Sequence, residues 1–135
     1  MKVVDAARSM LKTPFRHQGR VPGLALDCAG LVVCAATQAG YLPNDYQGYG
    51  RTPANGLLES AVESQSFLQR IIGEPIAGDI LLMRFAGDPQ HLAICAGETI
   101  IHAWEAVGMV CEHRLDDKWR RRIVGIYRFI EVGHE

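Results

Sequence analysis

The spacing of hydrophobic residues changes near the middle of the chain, and the first part is helical in character. Apolar residues recur at intervals of three and four over 3–11 and 27–39, which predicts two helices. Asp27 stands at the position of an N-cap, and Gly40 stands where a helix end commonly turns left-handed. A third helix is predicted over 57–68, so the first half should be helices joined by loops.

The second part of the chain has the pattern of an antiparallel meander. Short apolar or alternating runs, separated by turns that contain glycine, cover 79–85, 91–96, 99–104, 109–113 and 123–130. The segments 15–26 and 41–55, which contain glycine and proline, are predicted to be loops. Helices followed by strands indicate an α+β fold, and the length fits a single domain over 1–135.

Composition and charge narrow the functions to consider. Hydrophobic residues make up 48% and charged residues 21% of the chain, and the net charge of −1 predicts no basic surface for nucleic acid. The one basic cluster, 118–122, follows Asp116 and Asp117. It is predicted to be a solvated turn or strand end, with a patch for an anionic polymer as the alternative. No run approaches the roughly 20 apolar residues that span a bilayer, so no membrane insertion is expected.

The N-terminal segment and the cysteines both predict a reducing environment. Asp5 and Arg8 interrupt the early apolar run and no cleavage site follows, so we expect no secretory signal and synthesis in the cytoplasm. The chain has four cysteines and no CxxC pair. All four are predicted to be free thiols: Cys28, Cys34, Cys95 and Cys111.

Cys28 is the candidate nucleophile. It follows the predicted N-cap, where the first backbone N–H groups of a helix lack internal partners and the helix dipole is positive. Such a site stabilises a thiolate, the form that attacks carbonyl groups, so we expect a lowered pKa for Cys28. Its own backbone N–H can hold a developing oxyanion. The alternative is an inert cysteine buried at the start of a helix.

Two histidines are predicted to share one face of a hairpin. If 91–96 and 99–104 pair through a two-residue turn, the side chains of His91, His102 and Trp104 lie on the same face. One imidazole can then take the thiol proton while the other fixes its tautomer. The alternative is two unrelated polar positions.

The same side chains raise the question of a metal site. Cys28, His91, Cys95 and His102 lack the close ligand spacing of structural zinc, so we predict no metal and no cofactor. His113 is predicted to be an ordinary surface residue.

Five short motifs occur in order along the chain. They are Thr13-Pro14-Phe15, Asp27-Cys28-Ala29-Gly30-Leu31, Gly78-Asp79-Ile80-Leu81, His91-Leu92-Ala93-Ile94 and Ile101-His102-Ala103. Their order and spacing resemble the NlpC-type cysteine peptidases of the papain-like superfamily, over residues 3–130. The resemblance implies a papain-like fold in which a helix that carries the nucleophile packs on an antiparallel sheet.

The resemblance also implies roles and a substrate. It makes Cys28 the nucleophile, His91 the general base and His102 the polar residue that orients His91. The implied substrate is the stem peptide of peptidoglycan, cut next to a γ-linked D-glutamyl residue by a γ-D-glutamyl-diamino acid endopeptidase.

Two positions depart from the pattern of that family. Ala29 stands where the family usually has Ser, whose hydroxyl can contact the free amine of the substrate. Phe15 stands where it usually has Tyr, a candidate oxyanion donor, so His17 or Gln18 is expected to take that role unless the backbone acts with less help. Trp104 is a candidate for the floor of the substrate cleft.

Two further segments point to one branch of the family. Phe15-Arg16-His17-Gln18 and Trp119-Arg120-Arg121-Arg122 resemble the phage and prophage branch, whose small members are associated with tail tips. We therefore expect a tail-associated cell-wall hydrolase, with tail-tip proteins as partners and the virion tail as its location. Two alternatives stay open: a non-enzymatic tail-tip assembly component with this fold, and a thiol amidase, deamidase or acyltransferase acting on another substrate.

Overall fold

Three helices precede the main sheet in the computed structural model, which describes residues 2–49, 56–85 and 88–130. A two-stranded antiparallel hairpin lies between the first two helices. These elements are α1 (Lys2–Arg8), β1 (Arg20–Val21), β2 (Ala25–Leu26), α2 (Cys28–Gln38) and α3 (Leu57–Glu63).

Six antiparallel strands form the main sheet, and a short helix precedes the last of them. In chain order the elements are β3 (Leu68–Ile71), β4 (Ile80–Phe85), β5 (Asp88–Cys95), β6 (Thr99–Trp104), β7 (Met109–Arg114), α4 (Asp117–Arg120) and β8 (Ile123–Phe129). The order across the sheet is β3-β8-β4-β5-β6-β7, so β8 lies between two strands that precede it in the chain. The predicted α+β fold, with helices first and an antiparallel sheet after, is confirmed.

Helix α2 has clear local reasons to begin and end where it does. The Asp27 side chain accepts a hydrogen bond from the Gly30 N–H, which satisfies one of the free amide groups of the first turn. Gly40, just beyond the C-cap, has a φ of 100°, a conformation that costs glycine little. Leu31 and Ala35, one turn apart, are fully buried and fix the helix against the sheet.

The sheet is covered on both faces, so its central strands are apolar throughout. Residues 80–83 of β4 are all fully buried, which only a strand with two covered faces permits. Helices α1 and α2 cover one face, where their buried residues pack in one cluster with Leu92 and Ile94 of β5 and Ile101 of β6. A second cluster of buried residues lies on the other face of the sheet. Its members are Leu81, Met83, Ala93, Cys95, Ile100, Leu115, Trp119 and Ile126.

Three local predictions need correction, and a fourth falls partly outside the described residues. The helix predicted over 57–68 ends at Glu63, and 68–71 is a strand that pairs with β8. The predicted loop 15–26 contains the β1–β2 hairpin. The basic cluster 118–122 begins in a helix rather than in a turn, because the Asp116 side chain caps it by accepting from the Trp119 N–H. Of the predicted loop 41–55, residues 50–55 lie outside the described part.

All four cysteines are free, as predicted. Among the described helices, none has both the length and the apolar character needed to cross a bilayer.

Candidate active site

A network around Asp27 fixes the backbone that presents Cys28. One carboxylate oxygen of Asp27 accepts from the Gly30 N–H at 2.8 Å and from Arg20 at 3.0 Å. The other accepts from the Gln18 N–H at 2.8 Å and from the Tyr49 hydroxyl at 2.5 Å. Asp27 is buried, so this saturation with donors is what makes its charge tolerable there. The start of α2 is thereby tied to two loops.

The Cys28 thiol is not activated by its place at the start of α2. Burial raises the pKa of Cys28 to about 12, and the adjacent Asp27 carboxylate adds to the rise. The N–H groups of Leu92 and Ala29 act in the opposite direction, but they are outweighed. The prediction of a lowered pKa is therefore wrong for the free chain, because it took account of the helix terminus and left out the apolar surroundings. At rest Cys28 is a thiol.

The two predicted histidines do meet on one face of the sheet. Strands β5 and β6 join through a two-residue turn, with Cys95 opposite Ile100, as the alternation of side chains requires. The His91 Nε2 lies 2.6 Å from the His102 Nδ1. The imidazole pair foreseen from the spacing is confirmed.

A third imidazole continues the row, and it was missed. The His102 Nε2 lies 2.8 Å from the Nε2 of His113, and the His113 Nδ1 lies 3.0 Å from the carbonyl oxygen of Arg114. His113 is half-buried on β7 and is not an ordinary surface residue. The alternation 111–113 on β7, facing His102 across the ladder, is the signal that could have revealed it.

The row of three rings selects one tautomer for each neutral histidine. A carbonyl oxygen only accepts, so the His113 Nδ1 carries a proton and its Nε2 accepts from His102. His102 then has its proton on Nε2, and its Nδ1 accepts from the His91 Nε2–H. The Nδ1 of His91 is left without a proton, which is the state a general base needs.

Burial keeps the imidazoles of His91 and His102 neutral at ordinary pH. It lowers the pKa of His91 well below its usual value, and the nearby His102, Arg122 and His113 add to the effect. Burial likewise lowers the pKa of His102 to about 3, with a smaller contribution from His113. Neutral rings are the condition under which the tautomer assignment holds.

Cys28 and His91 line the same cleft. Its empty volume is about 910 Å³, including the solvent in its open mouth, which is enough for a short peptide. Phe85 stacks on the His91 ring with centroids 4.8 Å apart. Trp104 also lines the cleft, its ring stacks on that of His102 with centroids 5.4 Å apart, and it packs against the second core cluster, so its role as the floor of a substrate cleft stays a prediction.

The structure separates the remaining candidates. His17 and Phe15 line the cleft, whereas the Gln18 amide donates to the carbonyl oxygens of Gln47 and Tyr49. Gln18 therefore has its side chain engaged outside the cleft, and His17 remains the polar candidate near Phe15. Ala29 faces a separate apolar depression beside α2 and contributes its backbone N–H to Cys28 instead.

Comparison with known proteins agrees with this geometry. The sequence matches the NlpC/P60 family over residues 12–128. No curated protein matches the chain in sequence.

Solved structures share the fold at low identity. One is an NLP/P60-family protein similar to a lipoprotein, from Staphylococcus aureus subsp. aureus Mu50, with 23% identity and a TM-score of 0.65. It covers 97% of this chain, which spans only 41% of that protein. The NlpC/p60 domain of the peptidoglycan hydrolase SagA shows 22% identity and a TM-score of 0.65 over 93% of this chain and 94% of its own. The peptidoglycan hydrolase RipB from Mycobacterium tuberculosis shows 18% identity and a TM-score of 0.68. The match covers 97% of this chain and 64% of the RipB chain.

The family match covers most of the chain, and the shared fold and the ordered motifs agree with it, so this chain belongs to the NlpC/P60 family.

Proposed function

We propose that this chain is a cysteine peptidase that cleaves peptidoglycan stem peptides, as a γ-D-glutamyl-diamino acid endopeptidase. The observation that carries the proposal is the cleft shared by Cys28 and His91, with an imidazole row that leaves the His91 Nδ1 free to accept a proton. Membership of the NlpC/P60 family and the fold shared with two peptidoglycan hydrolases support the choice of substrate.

The resting thiol and the neutral imidazole define the first half of the reaction. As the Cys28 Sγ attacks the scissile carbonyl carbon, its proton passes to the His91 Nδ1, so no isolated thiolate has to form in the apolar cleft. The oxyanion is held by the backbone N–H of Cys28 and by His17. The tetrahedral intermediate collapses to a thioester, and the amine leaves with the proton from His91.

Water hydrolyses the thioester in the second half of the reaction. His91 takes a proton from the attacking water, the thioester carbon–sulfur bond breaks, and Cys28 recovers its proton as the acid product leaves. His102 stays hydrogen-bonded to the His91 Nε2 and stabilises the imidazolium that forms in each half.

The phage-tail location is a narrower proposal. It is supported by the likeness of 15–18 and 119–122 to the phage and prophage branch, and both segments touch the site: Phe15 and His17 line the cleft and Trp119 packs on His102. A chain attached to a tail tip would be carried to the cell wall by the particle. Co-purification with tail proteins from induced lysogens tests it, and absence of the chain from purified particles contradicts it.

The activity is tested on defined muropeptides. The wild-type chain should release products from a γ-D-glutamyl-diaminopimelyl peptide and leave simple amides and esters intact, as read by mass spectrometry. Cys28→Ala and His91→Ala should lose this activity, whereas Cys34→Ala, a half-buried thiol on the same helix, should keep it. Hydrolysis by Cys28→Ala at the wild-type rate would refute the proposal. Hydrolysis of amides alone would favour the amidase alternative.

A non-enzymatic role is the second candidate, and one observation favours it. Phe15 lines the cleft without a hydroxyl and the Gln18 amide is engaged elsewhere, so the cleft offers few oxyanion donors. Normal particle assembly by Cys28→Ala, together with inactivity of the wild-type chain on all peptides, would support that role.

A further inference from the structure

We propose that His102, Cys111 and His113 form a site for a borderline-soft divalent cation such as Zn²⁺, and that its occupation switches off His91 as a base. The second part rests on the proposed peptidase function; the first does not. The set shares only His102 with the four side chains whose sequence spacing predicted no zinc site.

The ladder between β6 and β7 brings these ligands together. Cys111 is directly opposite His102 in the register, and His113 follows two residues later on the same face. One ligand atom from each side chain lies within 4.8 Å of the other two. Two imidazoles and one thiolate are ligands that zinc prefers, and water can complete a four-coordinate site.

Both imidazoles are already oriented as metal-bound histidines are. The His113 Nδ1 is held by the Arg114 carbonyl and the His102 Nδ1 by His91. Their Nε2 atoms are left facing each other at 2.8 Å, beside Cys111. Metal-bound histidines commonly donate their second ring N–H to such outer partners, which fix the ring plane and the tautomer.

Only small movements are needed to admit the ion. Two imidazole nitrogens at about 2.0–2.1 Å from a tetrahedral zinc lie about 3.3 Å apart, so the pair has to open by about 0.5 Å. Cys111 and His113 are half-buried on β7, the last strand in the order of the sheet, which pairs with β6 on one side and is hydrogen-bonded to residues 12–15 near its start on the other. The same half-exposure gives the ion a route from solvent.

Occupation reverses the tautomers along the row. In the free chain His91 and His102 each carry their proton on Nε2. A metal ion on the His102 Nε2 moves that proton to Nδ1, which then donates to the His91 Nε2. His91 in turn holds its proton on Nδ1, where it cannot accept one from a thiol. The three rings keep the same number of protons, and the Cys111 thiol releases one to solvent as it binds.

The binding test does not depend on activity. In the Cys28→Ala chain, which removes the thiol of the cleft, Zn²⁺ should protect Cys111 from iodoacetamide and leave Cys34 unprotected, as read by mass spectrometry at each cysteine. With Co²⁺ the same chain should show a thiolate charge-transfer absorption band that Cys111→Ser lacks. Both tryptophans of the sequence, Trp104 and Trp119, contact His102, so Co²⁺ should also quench their fluorescence.

The switch is tested on the wild-type thiol. Zn²⁺ inhibition of muropeptide cleavage is expressed relative to the metal-free rate of each chain. Cys111→Ser should raise the half-inhibiting Zn²⁺ concentration by at least about 10–100-fold, the range already lost when only an outer hydrogen-bond partner of a metal ligand is removed. Cys34→Ser, the matched control, should not change it.

The outcomes are distinguishable. Equal alkylation of Cys111 with and without Zn²⁺ overturns the site. Protection of Cys111 together with equal inhibition of the wild-type and Cys111→Ser chains overturns the switch, because the inhibitory ion then acts without Cys111. Inactivity of every chain refutes the peptidase, while the protection of Cys111 still decides the site.

Discussion

Replacing Asp27 by alanine tests how the start of α2, which carries Cys28, is held in place. The matched control is Asp116→Ala, because both residues are aspartate N-caps but their surroundings differ. Asp116 is exposed and caps α4 through the Trp119 N–H at 3.0 Å. Asp27 is buried and adds bonds from Arg20, Gln18 and Tyr49 to its capping bond. Comparing the two variants therefore separates the stability that comes from capping from the stability that comes from the buried network around Asp27.

The magnitude follows from the partners that each change leaves behind. Loss of a cap costs about 1 kcal/mol, which is the whole effect expected for Asp116→Ala. Removing one partner of a buried ion pair costs about 3–5 kcal/mol. Arg20 is 14% exposed and keeps Asp45 as a second partner, which favours the lower end of that range. We expect Asp27→Ala to lower the free energy of unfolding by about 3–4 kcal/mol in total.

Urea denaturation followed by circular dichroism measures both variants against the wild type, with the slope of the transition checked for constancy. If the two variants lose the same stability within about 0.5 kcal/mol, the network adds nothing to capping and the reasoning fails. Should Asp27→Ala not fold, Asp27→Asn replaces it. That variant keeps a capping oxygen and loses the charge, so its loss should fall between the two.

Three further predictions follow from the site and from α2. The pKa of Cys28 is raised from 9.0 to about 12, so the folded chain keeps a proton that the unfolded chain loses. Between pH 9 and 12, wild-type stability should therefore fall by about 1.4 kcal/mol per pH unit more than that of Cys28→Ala, and parallel curves from urea titrations would contradict this. His113→Phe removes the hydrogen bond to His102, worth about 0.5–1.5 kcal/mol, which selects the His91 tautomer with a free Nδ1. On muropeptides kcat should therefore drop about 2–10-fold with KM unchanged, and a change in KM alone would argue against this role. Gly30→Ala places a Cβ 2.0 Å from the Gly19 carbonyl oxygen, so the midpoint of thermal unfolding should fall far more than for the control Ala29→Gly. Equal falls in the two midpoints would show that α2 does not contact the segment around Gly19.

Sequence reasoning succeeded where the cause is local. The β5–β6 register follows from a two-residue turn and simple alternation, so the meeting of His91 with His102 was predictable. The Asp27 N-cap is likewise decided within four residues. These two features account for the main elements of the site.

It failed where the cause is distant in the chain or lies in the surroundings. Residues 68–71 form a strand only because β8 pairs with them, and nothing within the segment itself predicts that. His113 gains its place in the imidazole row from the β6–β7 register and from Arg114. The pKa of Cys28 depends on burial by groups far along the chain, which outweighs the helix terminus beside it.

The place of β8 in the sheet has a consequence for how the protein folds. β8 is the last of the described strands along the chain, yet it separates β3 from β4 and pairs with both. The sheet that supports His91 therefore cannot close during synthesis until residue 129 has left the ribosome. Pairings so distant in the chain are slow to form, because a long loop has to close before its contacts stabilise it. A nascent chain would already contain Cys28 and His91 while β3 and one edge of β4 still lacked their partner strand, so the sheet behind the candidate cleft is completed last.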